Sequence, residues 1–213
     1  MRDHKLHFAL SFLILAVCLA LALILGRYQV EPGNLWRILV SGFDGRELDP
    51  ALSGSALVLW SVRLPRVIAA VMVGAALSVS GAVFQSLFRN PLVSPGILGV
   101  TSGASFGATL ALFFAGNSAF ALEASAFAWG LVAVTLAYQI GRRSGNSVTS
   151  LVLAGVIVSA LFTAGISYLK YKADPYQQLP AMVFWTMGSF NSIIWADALR
   201  ALAIIIPGLV ALY

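Results

Sequence analysis

Arg63 and Arg66 are the side chains of this sequence best suited to hold a charged partner. Each guanidinium stays protonated and presents a planar fork of donors that fits a carboxylate in two parallel bonds. They lie three residues apart across Pro65, directly ahead of a long apolar run. In that position long cationic side chains can also snorkel to headgroups and anchor a helix. A second pattern points toward catalysis: Gly103-Ala104-Ser105-Phe106-Gly107 fits the G-x-S-x-G spacing of a nucleophile elbow. That elbow needs a strand-to-helix turn and a base, and the only histidines, His4 and His7, precede the first apolar run. The single Cys18 allows neither an internal disulfide nor a thiolate metal site. No Gly-x-x-x-x-Gly-Lys loop is present to cradle a nucleotide. The sequence therefore predicts no catalytic residue, no metal site and no resident cofactor.

The elements that position these residues belong to a membrane. Hydrophobic residues make up 60% of the 213 and charged residues 10%, whereas soluble domains carry about 45–50% and about 25%. The net charge of +5 is scattered through short connections beside apolar runs, a pattern of topology control rather than the clustered basic face that binds nucleic acid.

A bilayer core takes about 20 apolar residues per helix, and the uncharged runs divide the chain into six spans, 6–26, 67–87, 92–114, 120–140, 150–169 and 197–213. The first reads as a retained anchor, since it lacks an Ala-x-Ala-like cleavage site, and Val17 is too large for a lipoprotein box ending at Cys18. Polar connections cover 27–60 and 170–178, and a short apolar segment, 179–190, reads as re-entrant or interfacial. Asn90 is expected to close one helix and Pro91 to open the next. The last span meets the final residue with no polar tail after Pro207-Gly208-Leu209-Val210-Ala211-Leu212, so the chain reads as truncated.

Gly99, Gly103 and Gly107 recur every fourth residue, which places small residues on one helix face and lets backbones approach closely. Ser159, Thr163 and Ser167 follow the same interval and form a polar stripe, although such hydroxyls can instead bond the preceding helical turn. Tyr168, Tyr171, Tyr176, Trp185 and Trp195 suit an interfacial aromatic belt, and Glu123 and Asp197 fall near helix ends. With a cytoplasmic amino terminus, five Lys and Arg residues face inward and eight outward. Arg63 and Arg66 then stand against the usual bias and need another reason to be there.

Val62-Arg63-Leu64-Pro65-Arg66, the block from Gly74 through Arg89-Asn90-Pro91-Leu92-Val93-Ser94-Pro95-Gly96-Ile97-Leu98-Gly99-Val100, Ser150-Leu151-Val152-Leu153-Ala154-Gly155-Val156 and Phe184-Trp185-Thr186-Met187-Gly188-Ser189-Phe190 occur in this order. Together they resemble the permease subunits of type II ABC importers for iron-siderophore, haem and cobalamin uptake, the FecCD-type family. The resemblance runs from about residue 60 to the end. It implies an all-α, polytopic helical bundle in the cell inner membrane, with about six helices present of a roughly ten-helix permease fold.

The partners implied by the family are a second permease chain, two cytoplasmic ATPase subunits that bind ATP and magnesium, an extracytoplasmic substrate-binding protein and the lipid bilayer. Arg63 and Arg66 are then the docking points for acidic residues of the binding protein. Asn90, Pro91 and Leu92, with Ser147, Val148 and Thr149, resemble the two turns that close the cytoplasmic end of the pathway, while Asn90 and Ser147 also suit helix caps. The resemblance also assigns Ser159, Thr163 and Ser167 to the pathway lining. Coupling segments after the sixth helix would lie beyond this sequence, so the chain alone is expected not to support ATP-driven uptake. A self-contained six-helix transporter or vitamin-capturing subunit fits the length but lacks motif support. An intramembrane hydrolase lacks an embedded histidine.

Overall fold

A computed structural model of the protein describes residues 2–44, 49–116, 118–145 and 147–212, with side chains described from residue 5 onward and not at 43. Arg46, Glu47 and Tyr213 therefore lie outside the described residues. The elements are α1 (Arg2–Ile24), α2 (Pro32–Asp44), α3 (Ser53–Val58), α4 (Leu64–Phe88), α5 (Val100–Phe114), α6 (Ala119–Arg143), α7 (Val148–Lys172), α8 (Gln178–Met187) and α9 (Trp195–Ala211). Short 3-10 turns precede α3 and α5, and a π-helical segment, Leu59–Arg63, joins α3 to α4. Among the described residues all regular structure is helical, as lipid requires of any segment that is not a closed barrel.

Among the described residues, four helical stretches are long and apolar enough to cross a bilayer: Lys5–Ile24, Pro50–Phe88, Ala119–Arg143 and Val148–Lys172. Two expected spans are shorter as helices. The span placed at 92–114 begins as a helix only at Val100, because Pro91 and Pro95 each lack an N–H and push the residue before them out of the helical region. Ser94 is extended accordingly (φ −113°, ψ 159°) and a 3-10 turn covers Pro95–Leu98. Pro91 thus lies in a turn and does not open a helix. The last span is α9, of 17 residues, with Pro207 inside it.

The connection 27–60 is more ordered than its polar composition suggests. It holds α2, and the helical run expected from residue 67 starts at Pro50, with Asp49 accepting the Ala51 N–H at 3.0 Å. Pro65 explains the change of register ahead of α4. In the π segment Leu64 N–H donates to Leu59 O, an i to i−5 bond, and the next donor in that register would be Pro65, which has none. The Trp60 carbonyl instead receives the Trp195 indole N–H at 2.7 Å.

The chain divides into two compact units, Met1–Ala76 with Phe190–Tyr213, and Leu77–Ser189. In the first, Val30, Ile38 and Leu59 are buried against Leu23, Leu35, Leu39, Ala56 and Trp60. In the second, Leu98, Ala133, Ala137, Ala154, Val158 and Phe162 form the core, flanked by Phe106 and Trp129. Phe106, Trp129 and Phe162 meet as an aromatic trio with centroids 4.9–5.9 Å apart, in the edge-on and tilted arrangements that ring quadrupoles favour. Most of the remaining contact surface is small: Ala126, Gly130, Ala133, Ala137 and Gly141 form the buried stripe of α6. In lipid, close backbone approach of this kind replaces the hydrophobic drive between helices.

Candidate functional site

Arg63 and Arg66 lie within helical structure, Arg63 closing the π segment and Arg66 in the first turn of α4. They face different surroundings. Arg63 is 8% exposed, and its Nη1 donates to the carbonyls of Leu23 and, at 2.7 Å, Ile24, while Nη2 donates to Tyr28 O. The Leu23 and Ile24 carbonyls are ones that the end of α1 leaves without helical donors, so a cation there complements both those acceptors and the negative end of the helix. The bond to Tyr28 O ties in the connection that follows. Gly26 makes the approach possible, since a Cβ at that position would stand 2.7 Å from Arg63 Nη2. Arg66 is only half-buried and donates through Nη2 to Asn191 O. The two arginines thus divide a structural task from a more accessible charge.

In the second unit the glycine ladder meets two partners. Cβ atoms on Gly103 and Gly107 would strike α6, the first at 2.5 Å from Trp129 O and the second at 2.8 Å from the Trp129 Cβ. Ser125 Oγ–H donates to Gly107 O at 2.6 Å across the same contact. Gly99 faces α7: its φ of +81° suits glycine, and a Cβ there would lie 3.0 Å from Ser159 Oγ. On α7, Gly155 packs against the Ile97 carbonyl.

Asn90 forms a turn by accepting the Leu92 N–H on Oδ1 at 2.9 Å, following Arg89 in the left-handed region (φ 49°). Pro91 and Leu92 are exposed, Leu92 by 89%. Ser147 caps α7, its Oγ accepting the Ser150 N–H at 3.1 Å, with Val148 and Thr149 exposed in the first turn. Ser150 Oγ in turn donates to Ser144 O at 2.8 Å. Along α7, Thr163 Oγ1 donates to Ser159 O at 2.7 Å and Ser167 Oγ to Thr163 O at 3.0 Å. Thr163 and Ser167 are exposed and Ser159 is half-buried.

Several side chains that matter here lack a motif. Gln178 donates to Phe113 O at 3.0 Å at the end of α5 and accepts the Asp174 N–H at 3.1 Å. Lys170 Nζ donates to Thr186 Oγ1 at 3.1 Å, tying α7 to α8. Trp195, which donates to the Trp60 carbonyl of the π segment, is among them, since neither the π register nor this partner leaves a motif in the sequence. Asp197 accepts the Ile194 N–H at 3.0 Å and pairs with Arg200 at the start of α9. Among the described residues no cluster of His, Cys, Asp and Glu is arranged to hold a metal ion.

Known proteins are similar to this chain in sequence and fold. The molybdate import system permease protein MolB of Haemophilus influenzae is 40% identical over 196 residues, which is 92% of this chain and 57% of that protein. The ferric enterobactin transport system permease protein FepG of Escherichia coli is 39% identical over 166 residues, covering 76% of this chain and 50% of the relative. A solved metal-chelate type ABC transporter in an inward-facing conformation superposes with a TM-score of 0.77 at 38% identity, over 95% of this chain and 59% of that one. The chain thus spans about half to three fifths of the length of the relatives it matches. A sequence profile described as the FecCD transport family matches residues 13–213, and the chain belongs to that family.

Proposed function

We propose that this chain supplies membrane helices to the permease subunit of an ABC importer, which passes a metal chelate or related anion delivered by an extracytoplasmic binding protein. The observation that carries the reading is the 38% identity to a metal-chelate transporter maintained over 95% of this chain. The cargo is a class rather than a compound. The names of the two relatives specify molybdate and ferric enterobactin, so iron-siderophore, haem and cobalamin do not exhaust the range. ATP and magnesium belong to separate ATPase subunits in this reading, and a second permease chain completes the pathway.

Within that function Arg66 is the docking charge and Arg63 its support. Arg63's guanidinium is committed to the end of α1, whereas Arg66 sits at a more open position. The segments 90–92 and 147–149 close the pathway in the cytoplasm, and the hydroxyl stripe of α7 lines it. The test is reconstitution of the full-length permease in proteoliposomes with its ATPase and binding protein. ATP-dependent accumulation of a radiolabelled ferric chelate or of molybdate is expected. Assembly of all subunits with no uptake of either class, or uptake without the ATPase, would overturn the proposal.

A further inference from the structure

The geometry points to a lipid-headgroup contact on the outward face of α2, made by Trp36 and Arg37 and independent of the transport pathway. Its starting point is the level at which α2 sits. α1 contains a 20-residue apolar stretch ending at Ile24, and α2 begins at Pro32. The intervening residues do not carry it away, because Arg63 gathers the Leu23, Ile24 and Tyr28 carbonyls together. Leu23 at the end of α1 packs in the same cluster as Ile38 of α2. If α1 spans the bilayer, α2 lies where that span leaves it.

The two faces of α2 differ sharply. Leu35, Ile38 and Leu39 point into the cluster with Leu59, and Gly42 leaves room for the Trp60 ring, whose indole N–H donates to Ile38 O at 3.1 Å. On the other side Gly33, Trp36 and Arg37 are exposed, Trp36 by 74%. Positions 33, 36 and 37 share a helix face by their spacing. A large indole held outward at the membrane boundary matches the interfacial preference of tryptophan, and the adjacent guanidinium offers a bidentate fork to a phosphodiester. Arg27 and Tyr28 are exposed on the connection leading to it, continuing the same collar. The occupant that fits all four is the phospholipid headgroup layer, with its phosphate for the cations and its carbonyl region for the rings.

Depth measurement on the full-length protein tests this. Gly33 is the labelling site, because a Cβ there meets no atom within 4 Å. Gly33→Cys in a Cys18→Ala background, spin-labelled in phosphatidylcholine–phosphatidylglycerol vesicles, is expected to report a depth near the phosphates, accessible to both oxygen and a water-soluble nickel complex. Leu13→Cys, on the exposed face of α1, should report the hydrocarbon. Brominated lipids should quench wild-type fluorescence more than that of Trp36→Phe, and Arg37→Gln should weaken the preference for phosphatidylglycerol. A label at 33 seeing only the aqueous reagent, or shielded from both as under a protein partner, overturns the proposal while Leu13 still reports hydrocarbon. A Leu13 label in water would instead defeat the membrane-span reading beneath it.

Discussion

Trp195 donates its indole N–H to the carbonyl of Trp60, 135 positions away in sequence, at 2.7 Å. The bond answers a gap made by Pro65, which cannot donate in the i to i−5 register of the π segment. A hydrogen bond to such a carbonyl from outside the helix contributes on the order of 1 kcal/mol. Trp195 is partly exposed, so the expected cost of Trp195→Phe is about 1 kcal/mol, a fall of about 2–4 °C in the thermal unfolding midpoint of the detergent-solubilised protein. Pro65→Ala restores a backbone donor in that register. The double variant should therefore lose less than the sum of the single losses. Additive losses in the cycle would show that the indole is not compensating for the proline.

The two arginines separate by what their removal affects. Arg63 serves three carbonyls from a buried position, a task suited to a planar fork and not to an ammonium point charge. Arg63→Lys is expected to cost about 2–4 kcal/mol, lowering the unfolding midpoint by about 5–10 °C. Arg66→Glu gives up a single bond, to Asn191 O, and should cost less, about 1 kcal/mol. It should weaken binding-protein affinity by about tenfold or more and reverse its salt dependence. Equal affinity losses with no change in stability for both would return Arg63 to a docking role.

Apolar length alone places α1, α6 and α7 within a few residues, because a spanning helix leaves an uninterrupted record in composition. The glycine interval at 99, 103 and 107 was equally visible, though not that Gly99 turns toward α7 while the other two meet α6. Prolines set the limits of legibility. Pro65 beside two arginines looks like the edge of a helix, yet the run extends back to Pro50 through a π segment that no periodicity announces. Pro91 and Pro95 have the opposite effect, removing the first residues of an apolar span from the helix. Helix α2 hides behind Pro32, Gly33 and Gly42, since its Leu35, Ile38 and Leu39 face is short and its partner Leu59 is distant in sequence. Arg63's carbonyl partners were illegible because they are backbone atoms, which carry no sequence identity.

Glycine positions give a ranking that packing alone decides. Gly103→Ala would drive a methyl into the Trp129 carbonyl of α6, Gly107→Ala into the Ser125 backbone of the same helix, and Gly155→Ala into the Ile97 carbonyl. Backbone cannot move aside as a flexible side chain does, so each is expected to destabilise by about 1–3 kcal/mol or more. Gly74→Ala meets no atom within 4 Å in α4 and should be neutral or stabilising by about 0.5–1 kcal/mol. Thermal unfolding of the four variants checks the order. A Gly107→Ala protein as stable as Gly74→Ala would mean that α5 and α6 are not in contact as described.

Capping and closure can be separated at the two turns proposed to form the cytoplasmic gate. Ser147 Oγ is engaged with the Ser150 N–H, so Ser147→Ala should cost about 1 kcal/mol and Ser147→Asp, another good cap, should recover it. Neither change should alter passive leak of substrate. Leu92 is different: its side chain is 89% exposed and contributes little burial, while the Asn90 turn fixes its backbone through the N–H. Leu92→Ala is therefore expected to leave the unfolding midpoint within about 1 °C and to raise ATP-independent leak from loaded proteoliposomes. Leu92→Phe should keep the leak low. A leak that follows the stability of the caps, rising with Ser147→Ala and falling again with Ser147→Asp, would assign closure to the integrity of the turns and not to the side chain that projects from them.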